Sequence, residues 1–339
     1  MKYLGLYKRL RADLMAVFIV SIALVLAGCG SPEDTDIKTV GIVLFGDSRQ
    51  PQVNGFQEEL TRLANDEDFS IRYLIRNAGN KRPALKVLVK ELADQKVDLL
   101  VAAGGLEADT MKEMVDGTKI PVVVLYVNSI IERGLVKSRS DPGWDVTGVD
   151  NLNAELSGKR VELMRDLLPG MKKILILYYK SIAPSRIGVE KAKEVAEKSG
   201  IFVDARAVSS RDEIKQTMKR LEPGEVDAML TVPTAPIDNA LTEIILPNVY
   251  RLKLPLMTHS RPLAEKGALA SYGANFYDMG KQAARLAGKV LQGVEAGKIP
   301  FETPKIIIYT MNENVRKDME IDLNDVARSQ VNEYISITK

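Results

Sequence analysis

The chain reads as an α/β protein made of two doubly wound parallel-sheet lobes. Three observations predict this. Its strand-like runs, such as residues 97–103 (VDLLVAA), are apolar throughout and lack the alternation of a half-exposed strand. Segments with helical periodicity separate them. The series also breaks at residues 138–150 and begins again at residues 173–179 (KILILYY). A chain of 339 residues is longer than one hydrophobic core usually fills, so two domains are expected.

Taken in order, residues 39–45 (TVGIVLF) form the first β-rich run, followed by a loop and a helical pattern near 54–63. Residues 70–76 are the second strand, and in 84–94 Leu85, Leu88, Val89 and Leu92 recur at helical spacing. Strands at 97–103 and 121–126 (PVVVLY) flank a helix near 108–115. After the Asp-Pro-Gly-Trp loop, a helix over 154–168 stops at Pro169-Gly170. The second series has strands at 173–179, 201–208, 226–232, 254–257 and 268–272. Helical segments lie near 188–198, 211–221 and 238–251.

Ahead of both series, Lys2, Lys8, Arg9 and Arg11 precede an apolar stretch over residues 14–26. That stretch falls short of the about 20 residues a membrane-spanning helix needs. Ala27 and Gly28 are small, as a signal peptidase requires, and Cys29 follows directly. This is the lipobox pattern: a signal peptide over 1–28, a lipidated Cys29 that carries the membrane anchor, and a polar tether over 29–36. A plain signal peptide with a chance cysteine, or a short anchor, is the alternative. The protein is expected to be exported and to face the periplasm or the cell exterior.

Four of the 47 basic residues and one of the 45 acidic residues lie in residues 1–28, so the remainder is close to neutral. A near-neutral chain argues against nucleic acid as a partner. A single cysteine excludes an internal disulfide, and a single histidine, His259, excludes a multi-histidine metal site. No metal and no cofactor are expected.

In parallel sheets ligands sit beyond the carboxyl ends of the strands, where helix N-termini point free N–H groups. In the first half those positions are the loop 46–53 and the turns that hold Gly104, Gly105, Glu107, Tyr126, Asn128 and Ser129. In the second half they hold Tyr179, Ser181, Ser185, Thr234, Asp238 and His259. Asp150 and Tyr272 fall where the chain passes between lobes. Gly104-Gly105 would let backbone approach an anion, although a tight turn also wants glycine; the tyrosines offer stacking faces or seal the core rim. His259-Ser260 suggests a hydrolase, but adjacent residues on one strand end point apart, and no G-x-S-x-G elbow exists. No catalytic residue is assigned.

Several motifs together resemble the solute-binding proteins of ABC transporters, in particular the tryptophan/tyrosine-type family with the type I periplasmic-binding fold. They are VDLLVAA at 97–103, IPVVVL at 120–125, LLPG at 167–170 before KKILILY, and GALASYG at 267–273 leading into YDMGKQAA at 277–284. The resemblance implies a hinge of three crossing strands. One lobe would comprise 37–150 plus 273–303, and the other 151–272 plus 304–339. It further implies a small-molecule solute of amino-acid type, aromatic ones included, an ABC permease as partner, a monomer, and no catalysis.

The chain departs from that family's pattern at its loops. Gly104-Gly105 stands where a Ser or Thr is usual, and Asn128-Ser129 where Asp-Pro is usual. The loop Lys180 to Ser185 replaces a Glu/Asn/Ser loop, and Thr234-Ala235 replaces an acidic residue. An ammonium would then need Glu107, Asp150 or Asp238, or else the solute lacks one. Two other roles stay open: a sensory lipoprotein reporting occupancy to a membrane kinase or chemoreceptor, and an extracytoplasmic α/β enzyme.

Overall fold

The computed structural model describes residues 36–67 and 69–337. The expected signal peptide, Cys29 and all of the expected tether but its last residue lie outside them. Two sheets organise the chain. The first runs β2-β1-β3-β4-β5, every neighbour parallel. Its strands are β1 (Asp36–Leu44), β2 (Phe69–Asn77), β3 (Leu99–Ala102), β4 (Val122–Val127) and β5 (Val146–Asp150). Helices α1 (Gln50–Asp66), α2 (Arg82–Asp94) and α3 (Gly105–Val115) connect them. Val40, Ile42 and Leu44 pack under α1, while Val43 packs with Leu85, Val89 and Met111 on the opposite face. Coverage of both faces is why these strands show no polar alternation. Helix α1 begins at Gln50, earlier than its apolar periodicity indicates, because Pro51 occupies the first turn, where no N–H is needed.

The second sheet runs β12-β11-β10-β9-β8-β6-β7. It contains β6 (Lys173–Tyr178), β7 (Phe202–Ala207), β8 (Ala228–Thr231), β9 (Leu256–Thr258), β10 (Ala270–Ala274), β11 (Ile307–Asn312) and β12 (Glu333–Ile335). Helices α4 (Ser157–Leu167) and α5 (Ala183–Lys198) cover one face. The other face is covered by α6 (Arg211–Arg220), α7 (Ala235–Ala240), a π-helical turn Leu241–Ile245 and α8 (Leu246–Arg251). The short helix α9 (Arg261–Glu265) follows β9.

This sheet is mixed rather than purely parallel, since β10 and β11 pair antiparallel. The reason is topological. After β10 the chain leaves for the first lobe as α10 (Phe276–Leu291), and it returns beside β10 in the opposite direction. Strand β12, with α11 (Glu313–Asp318) and α12 (Asp325–Gln330) before it, adds to β11 and has no strand pattern in the sequence.

Helix α10 packs on α1, and this pairing brings the third stretch of chain into the first lobe. The two helices touch through glycine. A Cβ at Gly55 would lie 2.1 Å from the Tyr277 carbonyl oxygen, and one at Gly280 would lie 2.0 Å from that of Gln52. Between the lobes the chain passes at 150–153, 274–276 and 300–307. The first and third passages pair: the Asp150 N–H donates to the Glu302 carbonyl and the Glu302 N–H to that of Gly148, both at 2.9 Å.

Candidate functional site

The first-lobe side of the cleft is built at the ends of β1, β3 and β4. Beyond β1 a single 3₁₀ turn, Asp47–Arg49, leads into α1. Glu107, in the first turn of α3, is fully buried, and its Oε1 accepts from the Phe45 N–H at 2.8 Å. Its Oε2 has no hydrogen-bond partner. Arg49 Nε stands 3.6 Å from Glu107 Oε1, an ion pair outside hydrogen-bond range. The guanidinium lies over Gly104, where a Cβ would come within 2.8 Å of Nε and 2.9 Å of Cζ. Gln52 donates from Nε2 to the Ala103 carbonyl at 3.2 Å, and its Oε1 is unpartnered. Gly105 makes room in the same way for Arg133, which Asp109 holds at 3.1 and 2.6 Å. Asn128 lies within 3.5 Å of Arg133 Nη1, and the buried Ser129 takes a left-handed conformation at φ 51°.

Tyr126, at the end of β4, forms an aromatic wall with Phe276 at the start of α10. Their ring centroids are 4.9 Å apart, edge to face. The Arg49 guanidinium carbon lies 5.6 Å from the Tyr126 centroid, within range of a cation–π contact. The Tyr126 hydroxyl accepts from Asn153 Nδ2 at 3.3 Å, joining the first lobe to the passage after β5. Burial pushes the Tyr126 phenol above its ordinary pKa; Arg49 opposes the shift and Asp238 adds to it. A second-lobe carboxylate therefore acts on a first-lobe ring.

On the second-lobe side, Thr234 precedes α7 without a side-chain capping bond, Asp238 lies in the first turn of that helix, and His259 follows β9. His259 Nε2 is 3.5 Å from Asp238 Oδ2. Thr234 Oγ1, Asp238 Oδ1 and His259 Nδ1 have no hydrogen-bond partner. The neighbour of His259 is thus an acid, with Ser260 instead opening α9.

Other expected site residues already have partners within the protein or pack against its core. Asp150 is fully buried, and its Oδ2 is taken by Arg139 Nε and Nη2 at 3.1 and 2.6 Å. Burial raises its pKa, and Arg139 only partly offsets that. Tyr179 is buried in the second-lobe core, where its N–H donates to the Ser185 Oγ at 2.9 Å. Ser185 is buried at the start of α5, while Ser181 is exposed. Helix α5 starts five residues earlier than its periodicity indicates, because Pro184 takes its first turn. The Tyr272 ring packs edge-on against Tyr309, 6.5 Å away, and so faces core. Tyrosine at a strand end does not by itself reveal which side of the sheet it serves.

Arg49 and Gln52 fall within residues 46–53, the loop expected beyond the first strand, though neither stands out there by itself; Asn153 and Phe276 carry no such signal. Arg49 sits in the loop after β1, already a strand-end position, but nothing local marks its side chain as turned toward Gly104. Phe276 lies between two of the quoted motifs. Two surface cavities of about 490 and 680 Å³ lie on the second lobe, around Gly267 and Asn312 and around Arg316 and Tyr334. Neither includes the groups described above. Among the described residues there is no cluster of metal-ligating side chains and no helix long and apolar enough to cross a membrane.

Unpartnered polar groups at the strand ends of two α/β lobes, set around an aromatic pair, define a two-lobed binding protein of the type I periplasmic-binding fold. Residues 39–334 match the family of ABC transporter substrate binding proteins, and the chain belongs to that family. The family is extracytoplasmic and takes small molecules to ABC permeases. A tyrosine-binding protein of Clostridioides difficile (strain R20291) is 29% identical over 79% of this chain and 76% of its own length. Two solved structures share the fold. One is an ABC domain from Streptococcus pneumonia in complex with L-Trp, 24% identical, TM-score 0.74, covering 87% of this chain and 100% of that one. The other is the ligand-free, open form of a substrate binding protein with adhesive properties from Clostridium difficile. It is 23% identical, with TM-score 0.71, and covers 89% of this chain and 100% of that one.

Proposed function

We propose that this chain is the lipid-anchored substrate-binding subunit of an ABC importer and takes an amino acid, aromatic ones above all, between two closing lobes. The observation that carries this is the set of buried, unpartnered polar atoms at the strand ends of both lobes: Glu107 Oε2, Arg49 Nε and Gln52 Oε1 on the first, Thr234 Oγ1, Asp238 Oδ1 and His259 Nδ1 on the second. Buried polar groups without partners are expensive in a finished core and are satisfied when a ligand supplies the missing atoms. The tyrosine-binding relative and the L-Trp complex support an aromatic amino acid as that ligand. The pattern ending at Cys29 supports the lipid anchor, and the neutral surface suits a receptor for small solutes.

Thermal unfolding of the mature protein with each amino acid, nucleobases and sugars tests the assignment. A ligand at roughly 100 times its Kd adds about 2.7 kcal/mol of stability. L-Tyrosine or L-tryptophan is expected to raise the midpoint by several degrees. A response confined to sugars or nucleobases would overturn the amino-acid assignment.

A further inference from the structure

We infer that Arg49, standing over the side-chain-free Gly104, receives the carboxylate of the solute and fixes its orientation across the cleft. The inference rests on the solute-binding reading above and assigns the anionic end of the solute to the first lobe.

A guanidinium carries five N–H donors in a planar fork. The Arg49 side chain makes no hydrogen bond among the described residues, and its Nε is buried without a partner. Glu107 does not satisfy it. Glu107 Oε1 is engaged by the Phe45 N–H, and the 3.6 Å separation makes Glu107 a counter-charge behind the guanidinium rather than an acceptor. Arg133, the other arginine at this turn, differs in having two hydrogen bonds to Asp109.

Gly104 supplies the space. A side chain at 104 and the Arg49 guanidinium exclude each other, since a Cβ would lie 2.8 Å from Nε. A Cβ at 104 would also lie 3.0 Å from Glu107 Oε2, so the solute carboxylate meets the guanidinium on the side turned away from Gly104 and Glu107.

The opposite lobe provides the complementary charge. Asp238 Oδ1 is unpartnered, and both Asp238 and Arg49 act electrostatically on the Tyr126 phenol. A cation beside Tyr126 on the first lobe and an unpartnered carboxylate oxygen on the second match a zwitterion: carboxylate on Arg49, ammonium on Asp238, side chain along Tyr126 and Phe276.

Calorimetric titration of the mature lipoprotein in detergent tests this with L-tyrosine and L-tryptophan, the amines tyramine and tryptamine, and the acids 3-(4-hydroxyphenyl)propionate and indole-3-propionate. Wild type is expected to bind the amino acids about ten-fold or more tightly than the amines. Arg49→Gln is expected to erase that preference, weakening the amino acids about ten-fold while leaving the amines within about three-fold. Gly104→Ala, which displaces the guanidinium without removing it, is expected to shift affinities the same way. It also serves as the test if Arg49→Gln does not fold. Equal binding of amines and amino acids by wild type, or undiminished amino-acid binding by either variant, would overturn the inference and leave the amino-acid assignment standing. Preference for the acids lacking an ammonium would support Arg49 and sink that assignment. Binding of sugars or nucleobases alone would overturn both.

Discussion

Arg160 shows how much of this molecule rests on single buried polar residues. It is fully buried in α4 with no carboxylate partner, and burial pulls its pKa down to about 9, so it stays charged at neutral pH. Neutral acceptors surround it: the Tyr272 carbonyl at 2.7 Å, the Asn153 carbonyl at 2.6 Å, Asn153 Oδ1 at 3.1 Å and Ser157 Oγ at 3.2 Å. It thereby ties the passage after β5 to the end of β10. Arg160→Met is expected to lower stability by about 3 kcal/mol, because several buried acceptors lose their donor at once. Urea denaturation measures this, and a loss below about 1 kcal/mol would mean that the carbonyls find other partners. Asp150 stands in the same passage, with Arg139 on its carboxylate.

Helices α1 and α10 set the position of Arg49, which is the residue before α1. Their glycine contact leaves no room for a methyl group, and the near atoms are backbone carbonyls that cannot rotate away. Gly280→Ala is accordingly expected to destabilise the fold by about 1–3 kcal/mol by forcing the helices apart. It is also expected to weaken solute binding, because α1 moves with Arg49. Thermal melting and titration of the same variant check both effects; an unchanged melting point would show that the pair can separate freely.

For the whole molecule, the closure proposed above is expected to concentrate its motion at the three passages between lobes. Leu152, in the first of them, holds a left-handed conformation at φ 54°, unfavourable for a leucine and supported by an Asn151 Oδ1 to Asn153 N–H bond of 2.8 Å. In a hinge closure a few residues of such a passage would absorb the change in backbone angles. Solution scattering with saturating L-tyrosine or L-tryptophan is expected to show a smaller radius of gyration than the protein alone. Identical profiles alongside confirmed binding would exclude closure as the response to solute.

The apolar strands without alternation, the restart after residue 150 and the helical spacings determine two doubly wound lobes, because burial on both faces imposes a local pattern on every strand. The strand-end positions of Glu107, Tyr126, Thr234, Asp238 and His259 follow from the same pattern. Three things lay beyond it. Helix starts moved to Pro51 and Pro184, where capping geometry outweighs periodicity. The antiparallel β10–β11 pair arose because the chain returns from the other lobe. The surroundings of the polar residues also separated only in three dimensions: Tyr179 and Tyr272 pack against core, Asp150 meets Arg139, and Arg49 lies over Gly104 and Tyr126. Local periodicity reports which face of an element is buried. Which distant side chain shares a strand end, and whether a charge there already has its partner, depends on contacts between residues far apart in the chain, and these exist only once it has folded.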